Sequence, residues 1–112
     1  MTKDYLFLGA AIATEVIGTS VLKLSDGFGN ARMGVIALGA YTVSIYFVSL
    51  AIRDLPIGLV YATWSAFGIV GVAMIGLVAF DEAIDLTGIV GMAFVLVGIV
   101  LLNVYSAAYS PG

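Results

Sequence analysis

Residues 57–80 read IGLVYATWSAFGIVGVAMIGLVAF, a run with no charged side chain. A helix of that length rises about 36 Å at ~1.5 Å per residue, enough to cross the ~30 Å hydrocarbon core of a bilayer. Working outward, three further runs share its character: Tyr5 to Leu22, Met33 to Ile52 and Leu86 to Ser106. The connections are short, Lys23 to Arg32, Arg53 to Pro56 and Asp81 to Asp85. The first has turn composition, Ser25-Asp26-Gly27-Phe28-Gly29-Asn30, and Pro56 with Gly58 opens the third helix. With 112 residues, 62% of them hydrophobic and 10% charged, and a mean hydropathy of +1.19, the chain is too apolar for one small soluble core. The expected fold is an all-α integral membrane protein, one domain over residues 1–112 with four transmembrane helices.

Composition also excludes several functions. The net charge of -3 comes mostly from loop acids, Asp26, Asp54, Asp81, Glu82 and Asp85, and there is no basic patch to hold a nucleic acid. Without cysteine there is no disulfide, thiolate metal site or thiol catalysis, and without histidine the commonest base and metal ligand is missing. No metal, cofactor or enzymatic chemistry is expected. Gly27 and Gly29 form a G-x-G, but no strand precedes them and a third glycine is missing. Ala11-Ile12-Ala13 resembles a signal-peptide cleavage site, yet the apolar run continues past it to Leu22, so the first helix is read as retained.

Glu15 stands near the middle of the first run and is the only charged residue inside any of the four. A central Arg, Lys or Asp is unfavourable by about 2.5 to 3.5 kcal/mol, and a Glu should be comparable. It shares a helix face with Leu8, Ala11, Ile12, Gly18, Thr19 and Leu22, most of them small within a turn of the carboxylate. Two readings follow, a buried hydrogen-bonding strut or a site for a proton and a cation. The second is favoured because no lysine, arginine or histidine lies inside a run to pair with it.

The third run places Tyr61, Trp64, Ser65 and Gly68 on one stripe. The aromatics fit an interfacial belt or, since Trp64 lies two turns inside Pro56, a wall facing an organic cation. Tyr41 and Ser44 give the second helix a hydroxyl-bearing face, for which core packing is the rival. Gly91 and Gly98, seven apart, mark a surface for close helix contact, although a glycine-rich membrane helix explains them too.

Topology signals are balanced. Lys3 and Arg53 belong to one side of the membrane, Lys23 and Arg32 to the other. Because lysine and arginine near helix ends set orientation, the chain carries almost no instruction about which way to insert. Either four basic residues are too few to be informative, or both orientations are made.

Together these features resemble the small multidrug resistance family. Thr14-Glu15-Val16-Ile17-Gly18-Thr19-Ser20, continuing to Lys23 and Ser25-Asp26-Gly27-Phe28, is similar to its acidic first-helix motif. Pro56-Ile57-Gly58-Leu59-Val60-Tyr61-Ala62-Thr63-Trp64-Ser65 resembles its third-helix core, and Gly91 with Gly98 its fourth-helix dimer motif. The resemblance implies a proton-coupled exporter of organic cations, a homodimer of oppositely inserted copies. It further implies Glu15 as shared proton and cation site, Tyr41, Tyr61 and Trp64 as aromatic surroundings, and Ser44 and Ser65 as polar lining. Gly18 after Val16-Ile17 resembles the broad quaternary-ammonium branch; a guanidinium-selective exporter is the alternative. After Ser65 the chain departs from many relatives with Ala66-Phe67-Gly68, leaving Gly71 and Gly76 as other places for a bend. A proteolipid rotor subunit has no use for the Tyr61 and Trp64 stripe, and a purely structural protein leaves Glu15 unexplained.

Overall fold

The structure, a computed structural model, describes residues 2–109. It comprises α1 (Thr2–Leu24), α2 (Ala31–Ala51), α3 (Ile57–Ala79) and α4 (Leu86–Val100), the last continued by a π-helical turn over Leu101–Tyr105. All four helices are long and apolar enough to span a membrane, and no strand occurs among the described residues. Helix suits hydrocarbon because it satisfies, within one segment, the peptide groups that cannot reach water. Large apolar side chains stand open on the outside, Val78, Leu86 and Phe94 among them, as suits a molecule whose solvent is lipid.

The helices overrun the apolar runs at several ends. α1 begins at Thr2 rather than Tyr5 and ends at Leu24 rather than Leu22; α2 covers Ala31–Ala51 rather than Met33 to Ile52. α3 stops one residue before Phe80, and α4 gives way to the wider π turn at Leu101, with Ser106 beyond it. Hydropathy marks what sits in lipid, whereas capping decides where a helix stops. Asn30 accepts from the Met33 amide at 3.3 Å, and Asp85 accepts from the Gly88 amide at 2.8 Å. Asp4 lies in the first turn of α1, where a negative charge suits the helix dipole, and is only 2% exposed. α1 thus withdraws two carboxyl groups from solvent, where the apolar runs single out Glu15 alone. α3 passes through Ala66-Phe67-Gly68 as uninterrupted helix.

The chain divides into two compact units, one up to Asp54 and one from Leu55 on. The first is the α1–α2 hairpin. Its turn is held by Ser25, whose hydroxyl donates to Leu22 O at 2.6 Å and accepts from the Phe28 amide at 3.2 Å. Asp26, Gly27 and Phe28 all take positive φ there, and the Phe28 ring lies where a Gly34 side chain would be. Small residues form the seam, so the two backbones come close: Ala11 and Ala37 are fully buried, and Gly18 faces Ala40. Near the open end Phe7 stacks on Phe47 with ring centroids 6.3 Å apart.

The second unit is the α3–α4 hairpin. The backbone turns at Asp81, whose φ is 54°, and the Glu82 amide donates to Gly76 O at 3.0 Å. The Glu82 side chain then fills the space beside Gly76. At the far end Tyr109 lies against Gly58.

Candidate functional site

Within the first unit, Glu15 is tied to α2 through one intermediary. The Thr19 hydroxyl, one turn further along α1, donates to Glu15 Oε1 at 3.3 Å and lies 2.5 Å from the Tyr41 hydroxyl. Gly18 makes this geometry available. A Cβ at Gly18 would lie 3.2 Å from Ala40 Cβ and 3.3 Å from the Tyr41 ring, a tight fit, so the glycine eases the approach of Tyr41 to Thr19. The second carboxylate oxygen, Oε2, is buried with no hydrogen-bond partner among the described residues. All four basic residues lie at helix ends or in connections, the nearest along α1 being Lys23, about 12 Å away along the axis. The carboxylate is therefore steered by hydroxyls and has no basic side chain beside it on its own helix.

Ser44, one turn beyond Tyr41, is fully buried and donates to Ala11 O at 2.6 Å. Its hydroxyl spans the α1–α2 seam below Glu15. The arrangement predicts the outcome of filling the seam: Gly18→Leu should destabilise the protein by about 1–3 kcal/mol through overpacking, and should separate Tyr41 from Thr19. Thermal unfolding in detergent checks it, and an unchanged midpoint would show that α2 gives way freely.

Within the second unit, Tyr61 and Trp64 meet edge to face, their centroids 6.0 Å apart and their planes at 63°. Tyr61 is exposed, whereas Trp64 is half-buried with its indole Nε1 buried and without a hydrogen-bond partner among the described residues. Ser65 turns to a groove of about 530 Å³ shared with Phe94, Val95 and Gly98 of α4. Among the described residues a Cβ on Gly91 or Gly98 would meet nothing within 4 Å, so neither glycine is needed for close packing of α4 within its own unit. α4 buries little of its length, Ile99 being its buried residue.

The structure thus groups Glu15 with Tyr41, and Tyr61 with Trp64, while Ser44 holds a backbone carbonyl and Ser65 faces α4. Thr19 is a site residue that the sequence presents only as a small neighbour of Glu15. Its signal is a hydroxyl four positions after the carboxylate on the same face. Thr63 and Asn103, which hydrogen-bond at 3.1 Å, do not stand out in the motifs, although Asn103 interrupts the apolar run Leu101-Leu102-Asn103-Val104.

Comparison with known proteins gives a consistent result. A family model described as Small Multidrug Resistance protein matches residues 3–96. The chain is 39% identical to the quaternary ammonium compound-resistance protein QacG of Staphylococcus sp. (strain ST94), over 94% of this chain and 98% of that one. It is 39% identical to QacE of Escherichia coli, likewise a quaternary ammonium compound-resistance protein, over 95% and 96% of the two chains. With the multidrug resistance protein EbrA of Bacillus atrophaeus it shares 40% identity over 92% and 98%.

Proposed function

From the premise that the chain belongs to the small multidrug resistance family, we propose that it is a proton-coupled antiporter exporting aromatic and quaternary-ammonium cations. At the coarser level it is a multi-pass cell-membrane protein of a multidrug efflux family, and its relatives are resistance proteins rather than enzymes. The observation that carries the finer reading is the Glu15 carboxylate, set in the middle of an apolar span with the Thr19 hydroxyl as its hydrogen-bond partner and no basic neighbour on its helix.

In this reading a proton and a substrate cation compete for the one carboxylate of Glu15, as acids within membrane spans commonly serve ion and proton pathways. A cation arriving from the cytoplasm displaces the proton, the protein changes the side to which it opens, and a proton from outside releases the cation. Thr19 and Tyr41 orient the carboxylate throughout. Aromatic faces such as Tyr61 and Trp64 attract cations by about 0.5 to 2 kcal/mol without demanding one hydrogen-bonding geometry, which favours breadth of substrate. Ser44 supports the α1–α2 seam under the site, and Ser65 supplies polar lining. Protons and organic cations are the partners; no cofactor is involved.

The working unit we propose is a homodimer of oppositely inserted copies. Larger transporters encode inverted symmetry as repeats in one chain; two opposed copies supply it here. Gly91 and Gly98, open among the described residues and on the span least buried among them, suit the dimer seam. Replacing both by leucine should shift the purified protein from dimer to monomer in detergent, read by light scattering; undiminished dimer would place the seam elsewhere.

The reading is tested by adding a bulky aromatic quaternary cation, or guanidinium, to purified protein in weak buffer. Proton release with the first and little with the second is expected. Release with guanidinium alone would assign the chain to guanidinium export, and release with neither would defeat antiport.

A further inference from the structure

α3 and α4 approach each other over much less of their length than α1 and α2 do. Two grooves flank their contact, one of about 290 Å³ lined by Val70, Met74, Ile89 and Leu96, the other the groove of about 530 Å³ that Ser65 enters. Where side chains leave such gaps, packing alone fixes the rotation of one helix against the other only weakly. A polar pair then carries more of the register.

Such a pair is present. Asn103 Nδ2 donates to Thr63 Oγ1 at 3.1 Å, and also to Ile99 O at 3.0 Å. Thr63 is 5% exposed and Asn103 half-buried, so the bond is partly sheltered by the two helices. Asn103 sits in the π turn, marked by the Ser106 amide donating to Leu101 O at 2.8 Å, five residues back. The wider turn changes the direction in which α4 projects its side chains, and turns of this kind are frequent at functional positions. Thr63 immediately precedes Trp64 and lies two positions after Tyr61. Holding Thr63 to α4 therefore sets the azimuth at which the rigid helix α3 presents both aromatic rings.

We propose that Thr63 and Asn103 are positioning residues for the aromatic wall, a clamp that orients Trp64 and Tyr61 and so sets the preference for aromatic cations without touching them. The proposal rests on the cation-export reading above. Its chemistry is a neutral hydroxyl–amide hydrogen bond, so it acts on ligand affinity and leaves proton exchange at Glu15 as it was.

Trp64 is the only tryptophan in the chain, which makes intrinsic emission a reporter of this one ring. The experiment uses full-length protein in detergent with tetraphenylphosphonium as probe, following Trp64 emission and proton release together. Thr63→Val and Asn103→Leu are each expected to weaken phosphonium binding about three- to tenfold, the range of a membrane-buried hydrogen bond. Both should shift Trp64 emission of the free protein and keep the protons released per bound cation. The double variant should be no worse than the weaker single one, since the two changes remove the same bond. Thr63→Ser, which keeps the hydroxyl, should stay within about twofold of the parent on the same reasoning. Parental affinity and emission in Thr63→Val would overturn the clamp, even if Asn103→Leu fails to fold; so would additive losses in the double variant. A parent protein that binds the phosphonium without releasing protons would instead overturn the export reading, and this inference with it.

Discussion

Glu15→Gln protein reconstituted in vesicles is expected to show no proton-driven cation transport and no proton release on cation binding, while keeping its fold. The amide is nearly the same size as the acid, and its oxygen still accepts from the Thr19 hydroxyl, so the Thr19–Tyr41 link to α2 survives. What is lost is the exchangeable proton and the charge that attracts a cation. Asp4 is the other carboxyl withdrawn from solvent in α1, but it stands in the first turn, about 16 Å along the axis from Glu15. Glu15→Asp should retain exchange with altered affinity, because the shorter side chain draws the carboxylate away from Thr19. Transport by Glu15→Gln at the parental rate would mean that the proton travels through some other group, and the antiport mechanism proposed here would fall.

The second large effect concerns insertion. Lys3 and Arg53 lie at one end of the α1–α2 hairpin, Lys23 and Arg32 at the other, and residues 55–112 contain no basic residue. The balance of two against two therefore belongs to the first hairpin alone. Ala83 and Thr87 are exposed around the start of α4, on the side of Lys23 and Arg32 when the four spans alternate. Placing lysine at both makes that side four against two, and the positive-inside rule then directs it to the cytoplasm. Accessibility labelling of tagged termini should show one uniform orientation and transport should collapse. Co-expression with a Lys23→Gln, Arg32→Gln chain, biased the opposite way, should restore it. Full activity from a uniformly oriented population would rule out an opposed dimer as the working unit.

Much of this protein is legible in its amino-acid sequence. The four spans, the absence of thiol or imidazole chemistry, the balanced basic residues and the isolation of Glu15 all follow from what each residue contributes alone. Transfer of a side chain into hydrocarbon is a local free energy, summed along the chain and indifferent to which helix lies beside which. The family motifs around Glu15 and Trp64 belong to the same level, being short patterns read in order.

The partners of those residues depend on direction, and only the tertiary structure decided them. Thr19 reads as a small neighbour until Gly18 lets Tyr41 descend to within 2.5 Å of its hydroxyl. Ser44 leaves open a lining role or core packing until it is found donating to Ala11 O across the seam. Asp4 reads as lying outside the first span until α1 begins at Thr2 and buries it, and Asn103 as a stray polar residue until the π turn aims it at Thr63. In each case the deciding quantity is where a helix crossing and a rotamer point a polar atom. Composition and spacing along one stretch of sequence do not carry that information, because it is fixed jointly by two segments far apart in the chain.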